Sequence, residues 1–193
     1  MNILCQLFNK REVVEHEQLV FESDKNKQNK QTSIQLKIIG TNSNFEVKRC
    51  FISNLNNENI CEIVEGDVLL ENLTETSIKL FGTINSLKIR NVVGCQIELN
   101  GICNGSIYIE CVKGGKFLIA GDQIRIHDSS DVDIIIFSKN SCILENCENL
   151  RFYPNRSAAK SFGNCKDENY WKCVQDFGFN SENSFKLIDL IDE

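Results

Sequence analysis

The residues best suited to chemistry lie in Gly121-Asp122-Gln123-Ile124-Arg125-Ile126-His127. Read with period two, Ile124 and Ile126 point to one side, and Gln123, Arg125 and His127 to the other. The apolar side must be core, so a guanidinium stands outward between two polar neighbours on a rigid strand. Such a group forks to two anionic oxygens and stays charged at any physiological pH. Taken alone, the same residue also reads as a surface strand arginine paired with Glu98 or Glu145, a contact worth little. His127 lacks a nucleophile or carboxylate dyad beside it and reads as a face residue rather than a general base. Ser129-Ser130 reads as a turn.

Other chemistries find little support. The ten cysteines contain no C-x-x-C pair, and the only histidines, His16 and His127, are far apart. No metal site is expected, and buried free thiols are expected rather than bridges. No G-x-x-x-x-G-K-[ST] run is present, so the chain is expected to bind no nucleotide of its own. A net charge of −6 over 193 residues offers no basic stripe for nucleic acid. No apolar run has the length of a membrane span, and Met1-Asn2-Ile3-Leu4 is not laid out as a signal peptide. A cytoplasmic protein without a membrane anchor is expected.

The elements that must position Arg125 are short strands. From Gly66 onward, pairs of apolar residues separated by one polar residue recur as Ile78/Leu80, Leu87/Ile89, Ile97/Leu99, Ile107/Ile109, Phe117/Ile119, Ile124/Ile126, Ile134/Ile136 and Leu150/Phe152. They lie too close together for intervening helices. Ile97 to Ile124 and Ile107 to Ile134 each span 27 positions, which reads as three strands per coil of a parallel β-helix. The competing architecture is an antiparallel barrel or sandwich, for which Asn100-Gly101 and Asn104-Gly105 would serve as hairpin turns. The recurring register favours the β-helix.

Residues 1–46 form an N-terminal extension. It has a weak helical pattern at Leu4, Leu7, Val13, Val14 and Leu19, a polar stretch over 23–31 expected to be mobile, and a strand signal at Ser33–Gly40. Residues 47–178 form the β-helix domain. Within it, 151–178 is an aromatic tail expected to fold back as a cap, because Tyr170, Trp171, Phe177 and Phe179 should not be left in water. Phe152, Trp171 and Phe177 are expected to serve cap packing. Residues 179–193 are an acidic end.

Three segments, in order, resemble the tubulin-binding cofactor C family over roughly residues 47–178. Asp122-Gln123-Ile124-Arg125-Ile126-His127 is similar to the family's Gln-Gln-Leu-Arg-(Ile/Leu)-His signature. Ile143-Leu144-Glu145-Asn146-Cys147 with Leu150-Arg151-Phe152-Tyr153-Pro154 is similar to its Ile-(Ile/Val)-Glu-x-Cys…Ile-x-Phe-x-Pro segment. Trp171-Lys172-Cys173-Val174-Gln175-Asp176-Phe177 resembles its closing Trp-x-x-Val-x-Asp-Phe.

The resemblance implies an all-β fold, a short right-handed parallel β-helix with a C-terminal aromatic tail packed back on it. It also implies a GTPase-activating role with Arg125 as an arginine finger supplied in trans and Glu145 as the glutamate that orients it. Gln123 would contact the partner or a water, and Asp122, His127 and Arg151 would face the partner. GTP and Mg²⁺ would be held by that partner, either tubulin with the other tubulin folding cofactors or an Arf-like small GTPase. A monomer associated with the cytoskeleton is expected. Asp122 departs from the family glutamine and puts a negative charge beside the finger. The alternative is a non-catalytic cytoskeletal module like that of cyclase-associated proteins, binding actin or tubulin, so whether the chain is an enzyme activator stays open at this point.

Overall fold

The computed structural model describes residues 33–39, 47–161, 170–178 and 183–189. The helical pattern of residues 4–19 and the polar stretch of 23–31 lie outside them. The strands are β1 (Ser33–Ile39), β2 (Val47–Ser53), β3 (Asn59–Thr74), β4 (Ser77–Asn100), β5 (Cys103–His127), β6 (Asp133–Ser138), β7 (Cys142–Glu145), β8 (Leu150–Pro154), β9 (Val174–Asp176) and β10 (Phe185–Leu187), with one helix, α1 (Arg156–Ser161). From β2 onward every pairing is parallel. The result is a β-helix of about six coils, and the antiparallel alternative is excluded for this part of the chain.

The coil is shorter than the 27-residue spacing suggested. Val68 pairs with Leu87, Leu87 with Ile107, Phe117 with Ile134 and Arg125 with Ile143. Each coil therefore advances by 17 to 20 residues. The coil has two long sides, each with an inward apolar pair, and a third side with a single inward residue. Leu55, Leu73, Val92, Val112, Ser129 and Cys147 fill that third column, all buried. One residue produces no i, i+2 pair, so the third side is silent in the periodicity. Ile97 and Ile124 belong to different long sides, and their spacing spans more than one coil.

The corners bounding the short side explain its regularity. One column runs Asn54, Asn72, Asn91, Cys111, Asp128, Asn146, and the other Asn57, Glu75, Gly94, Gly114, Asp131, Asn149; every one of these residues has φ between 46° and 68°. Asn, Asp and Gly tolerate this left-handed region best. Their amides also link coils: Asn72 Nδ2 donates to Asn54 Oδ1 and Asn91 Nδ2 to Asn72 Oδ1, both at 3.2 Å. Elsewhere backbone approaches backbone so closely that only glycine fits. A Cβ on Gly82 would lie 2.2 Å from the Val64 carbonyl oxygen one coil away.

Both ends are covered. At the start β1 pairs antiparallel with β2, from Ser33 opposite Ser53 to Ile39 opposite Val47. At the far end β9 lies on β7 and β10 on β8. Trp171 is buried in the main core, and Phe185 meets Phe152 edge-on at 6.0 Å. The tail thus folds back as expected. Asn155 Oδ1 accepts from Ala158 N at 3.0 Å, capping α1, whose Ala158 packs with Ile102, Ala120 and Phe137 outside the coil.

Candidate functional site

Arg125 stands on the outward face of the long side built by Ile107/Ile109, Ile124/Ile126 and Cys142/Leu144. The buried isoleucines on either side of it, both 0 % exposed, fix the strand and turn the arginine outward. It is level with Ile143, which is level with Gln175. Lys113 is level with Ser130. Carrying that register back along β5 places Tyr108 beside Arg125 and Glu110 beside His127. Arg125 is exposed, and no hydrogen bond or ion pair joins it to another described residue. It occupies an open, stiffly mounted face with an aromatic ring on one side and an aliphatic chain on the other.

The acids around it are engaged elsewhere. Glu145 Oε2 lies 3.1 Å from His127 Nδ1, not on Arg125. Glu110 Oε1 lies 3.0 Å from Lys88 Nζ. That ammonium, with the Tyr108 hydroxyl contributing less, holds the Glu110 carboxyl below the usual carboxylate range. Asp122 Oδ1 lies 2.8 Å from Lys139 Nζ, so the negative charge that departs from the family signature is neutralised locally. Glu98, the other acid considered for Arg125, pairs with Lys79 on the other long side.

His127 is half-buried. Its ring tilts at 33° against Tyr108 with centroids 5.1 Å apart, and its Nε2 is buried with no hydrogen-bond partner among the described residues. Lys88 Nζ covers the Tyr108 ring at 4.9 Å. Tyr108 and Lys88 escaped the sequence reading, although the 17-to-20-residue register would have aligned them with the signature. Desolvation, then Glu110, pushes the Tyr108 phenol up.

The other expected site residues divide. Gln123, Arg125 and His127 project from one strand, with Asp122 at its entry and Glu145 on the next coil. Arg151 lies on the other long side, level with Asp133. There Asp133 Oδ1 accepts from its Nε at 2.5 Å, and the Tyr153 hydroxyl donates to the same oxygen at 3.2 Å. Asp133 raises the guanidinium pKa further. The structure does not bring Arg151 to Arg125.

Phe177 differs from its expected packing role. Phe152 and Trp171 are buried, but Phe177 is 66 % exposed. Leu144 is level with Asp176, and Phe177 N donates to Leu144 O at 2.9 Å. Phe177 therefore lies beside Glu145 on the face that carries Arg125. Strand alternation turns it outward, which aromaticity alone could not indicate.

Among the described residues no group of three or more His, Cys, Asp or Glu could hold a metal, and no helix is long and apolar enough to cross a membrane. A polar groove lined by Asn57, Glu58, Glu75, Thr76 and Gln96 opens at a corner of the short side, away from Arg125.

A family model described as tubulin binding cofactor C matches residues 65–177. The chain is similar to mouse tubulin-specific chaperone C, at 28% identity over 145 residues covering 69% of this chain and 42% of that relative. It is similar to the bovine protein of the same name at 30% over 125 residues, 61% of this chain and 36% of the relative. It is also similar to Arabidopsis thaliana tubulin-folding cofactor C at 29% over 119 residues, 58% and 34%. The chain thus spans less than half the length of each of these relatives.

Proposed function

The chain belongs to the tubulin-binding cofactor C family, and from that premise we propose that it serves as a tubulin folding cofactor and inserts Arg125 in trans into the nucleotide site of a GTP-bound partner. The relatives' names support tubulin as the partner. The observation that carries the arginine-finger reading is the state of Arg125 itself, exposed on a rigid strand with no described acid bound to it. Phosphoryl transfer leaves a protein chiefly the tasks of positioning and charge stabilisation, and an arginine supplied in trans contributes roughly 10³–10⁵ in rate. A strand inside a β-helix is a stiff mount for such a group.

On this reading the partner holds GTP and Mg²⁺. Gln123 meets the partner or a water, and Phe177 supplies an apolar anchor at the edge of the same face. Glu145 meets the finger only when it leaves His127. Tubulin acting with other folding cofactors is the first partner to test, and an Arf-like small GTPase the second. The setting is the cytoplasm, on the cytoskeleton, with the protein acting as a monomer. The test is partner GTP hydrolysis with wild-type chain against Arg125→Ala.

Phe177 also favours a second reading, a non-catalytic docking module on the same face that binds tubulin or actin. Under it, Arg125→Ala changes binding or nothing at all, while Phe177→Ala weakens binding.

A further inference from the structure

Each carboxylate flanking Arg125 is matched with a basic side chain other than Arg125: Asp122 with Lys139 at 2.8 Å, Glu110 with Lys88 at 3.0 Å, and Glu145 with the His127 imidazole at 3.1 Å. This arrangement is not the default. Glu145 and Glu110 sit diagonally from Arg125 on the two adjacent coils, a separation that a long side chain spans. A guanidinium also binds a carboxylate in bidentate fashion more firmly than imidazole does. Left to choose, Glu145 would swing to Arg125.

We propose that His127 is a positioning residue that holds Glu145 away from Arg125, so that the guanidinium is presented uncompensated to the partner. The Tyr108 ring at 5.1 Å and the burial of Nε2 keep the imidazole plane fixed, with Nδ1 aimed at the carboxylate. Lys88, held over Tyr108 and on Glu110, buttresses the same ring. Guard and finger sit two residues apart on one strand, so their spacing cannot drift. A finger already bound to an internal acid would have to break that pair before reaching a phosphate. In the free chain that pair is absent, with Glu145 on His127 instead.

The functional consequence rests on the finger reading, but the contact can be tested on the isolated chain. There are six arginines, so the Nε–Hε signal of Arg125 can be assigned by its loss in Arg125→Lys, and its exchange with water measured by NMR. In wild type it is expected to exchange as an unpaired arginine does, and Glu145→Gln is expected to leave that rate unchanged. His127→Phe, which keeps a ring against Tyr108 but removes the N–H, is expected to slow exchange about threefold or more as Glu145 moves over. His127→Phe with Glu145→Gln should restore the wild-type rate. Faster exchange in Glu145→Gln alone would show Glu145 already on Arg125 and overturn the proposal. So would unchanged exchange in a folded His127→Phe protein. Neither result touches the finger reading, and a silent GTPase assay would not touch this one.

Discussion

Asn72 hydrogen-bonds to Asn54 one coil below, at 3.2 Å, while its own Oδ1 accepts from Asn91 one coil above at the same distance. It does so at φ 54°, so one residue supplies both a left-handed corner and a link between coils. The two contributions separate by substitution. Asn72→Gly keeps the backbone freedom and loses only two exposed hydrogen bonds. Asn72→Ala loses both and adds a left-handed penalty of about 1–2 kcal/mol. Urea denaturation is expected to rank wild type above Gly above Ala; equal midpoints for Gly and Ala would remove the conformational argument.

The core column predicts a steep contrast between two phenylalanines. Phe117 is fully buried between coils, level with Ile97 and Ile134. Phe117→Ala is expected to cost about 3–5 kcal/mol. Phe177→Ala, at an exposed position, is expected to stay within about 0.5 kcal/mol of wild type while weakening partner binding. Thermal melts and a binding titration on the same two variants check both statements.

Thiol reactivity should follow burial. Burial, with a smaller push from Glu62, raises the Cys50 thiol to about 12, and burial raises Cys95, Cys103, Cys142 and Cys147 as well. Cys61, Cys111 and Cys173 are exposed. The thiolate is the nucleophile. Among the eight cysteines of the described residues, alkylation at pH 8 followed by peptide mass analysis should mark the three exposed ones first and the five buried ones only in denaturant.

The Lys88–Glu110 pair gives a pH dependence of known sign. Lys88 lowers the folded-state pKa of Glu110. The stabilisation is therefore present above the ordinary carboxylate pKa, about 4.3, and is lost as pH falls through the lower folded value. The pair is partly exposed to solvent, so its worth is under about 1 kcal/mol after screening. Lys88→Met should move the Glu110 carboxyl titration upward in NMR; a midpoint that stays put would deny the pairing in solution.

The sequence made the inward-facing columns legible because buried long sides need alternation, which is why Ile124 and Ile126 fixed Arg125 outward in advance. It hid the coil length because the short side contributes one buried residue, such as Val92 or Ser129, and one residue has no period. The left-handed corners were open to inspection as Asn or Asp at 54, 72, 91, 128 and 146, with Cys111 interrupting the column. The face around Arg125 was only half legible. His127 and Glu145 were both singled out, but their mutual contact depends on β5 and β7 lying in register, and Tyr108 and Lys88 enter only through the same coil-to-coil alignment. Arg151 resembled its neighbours in type and motif, yet belongs to another side of the coil.

The most direct measurement is single-turnover GTP hydrolysis by tubulin in the presence of the other folding cofactors, and by Arf-like GTPases, with wild-type chain and with Arg125→Ala. Acceleration of one partner by wild type of at least about a hundredfold, lost in Arg125→Ala while binding persists, is the expected result. Equal activity of the two proteins, or no response from any partner that binds, would contradict an arginine supplied in trans.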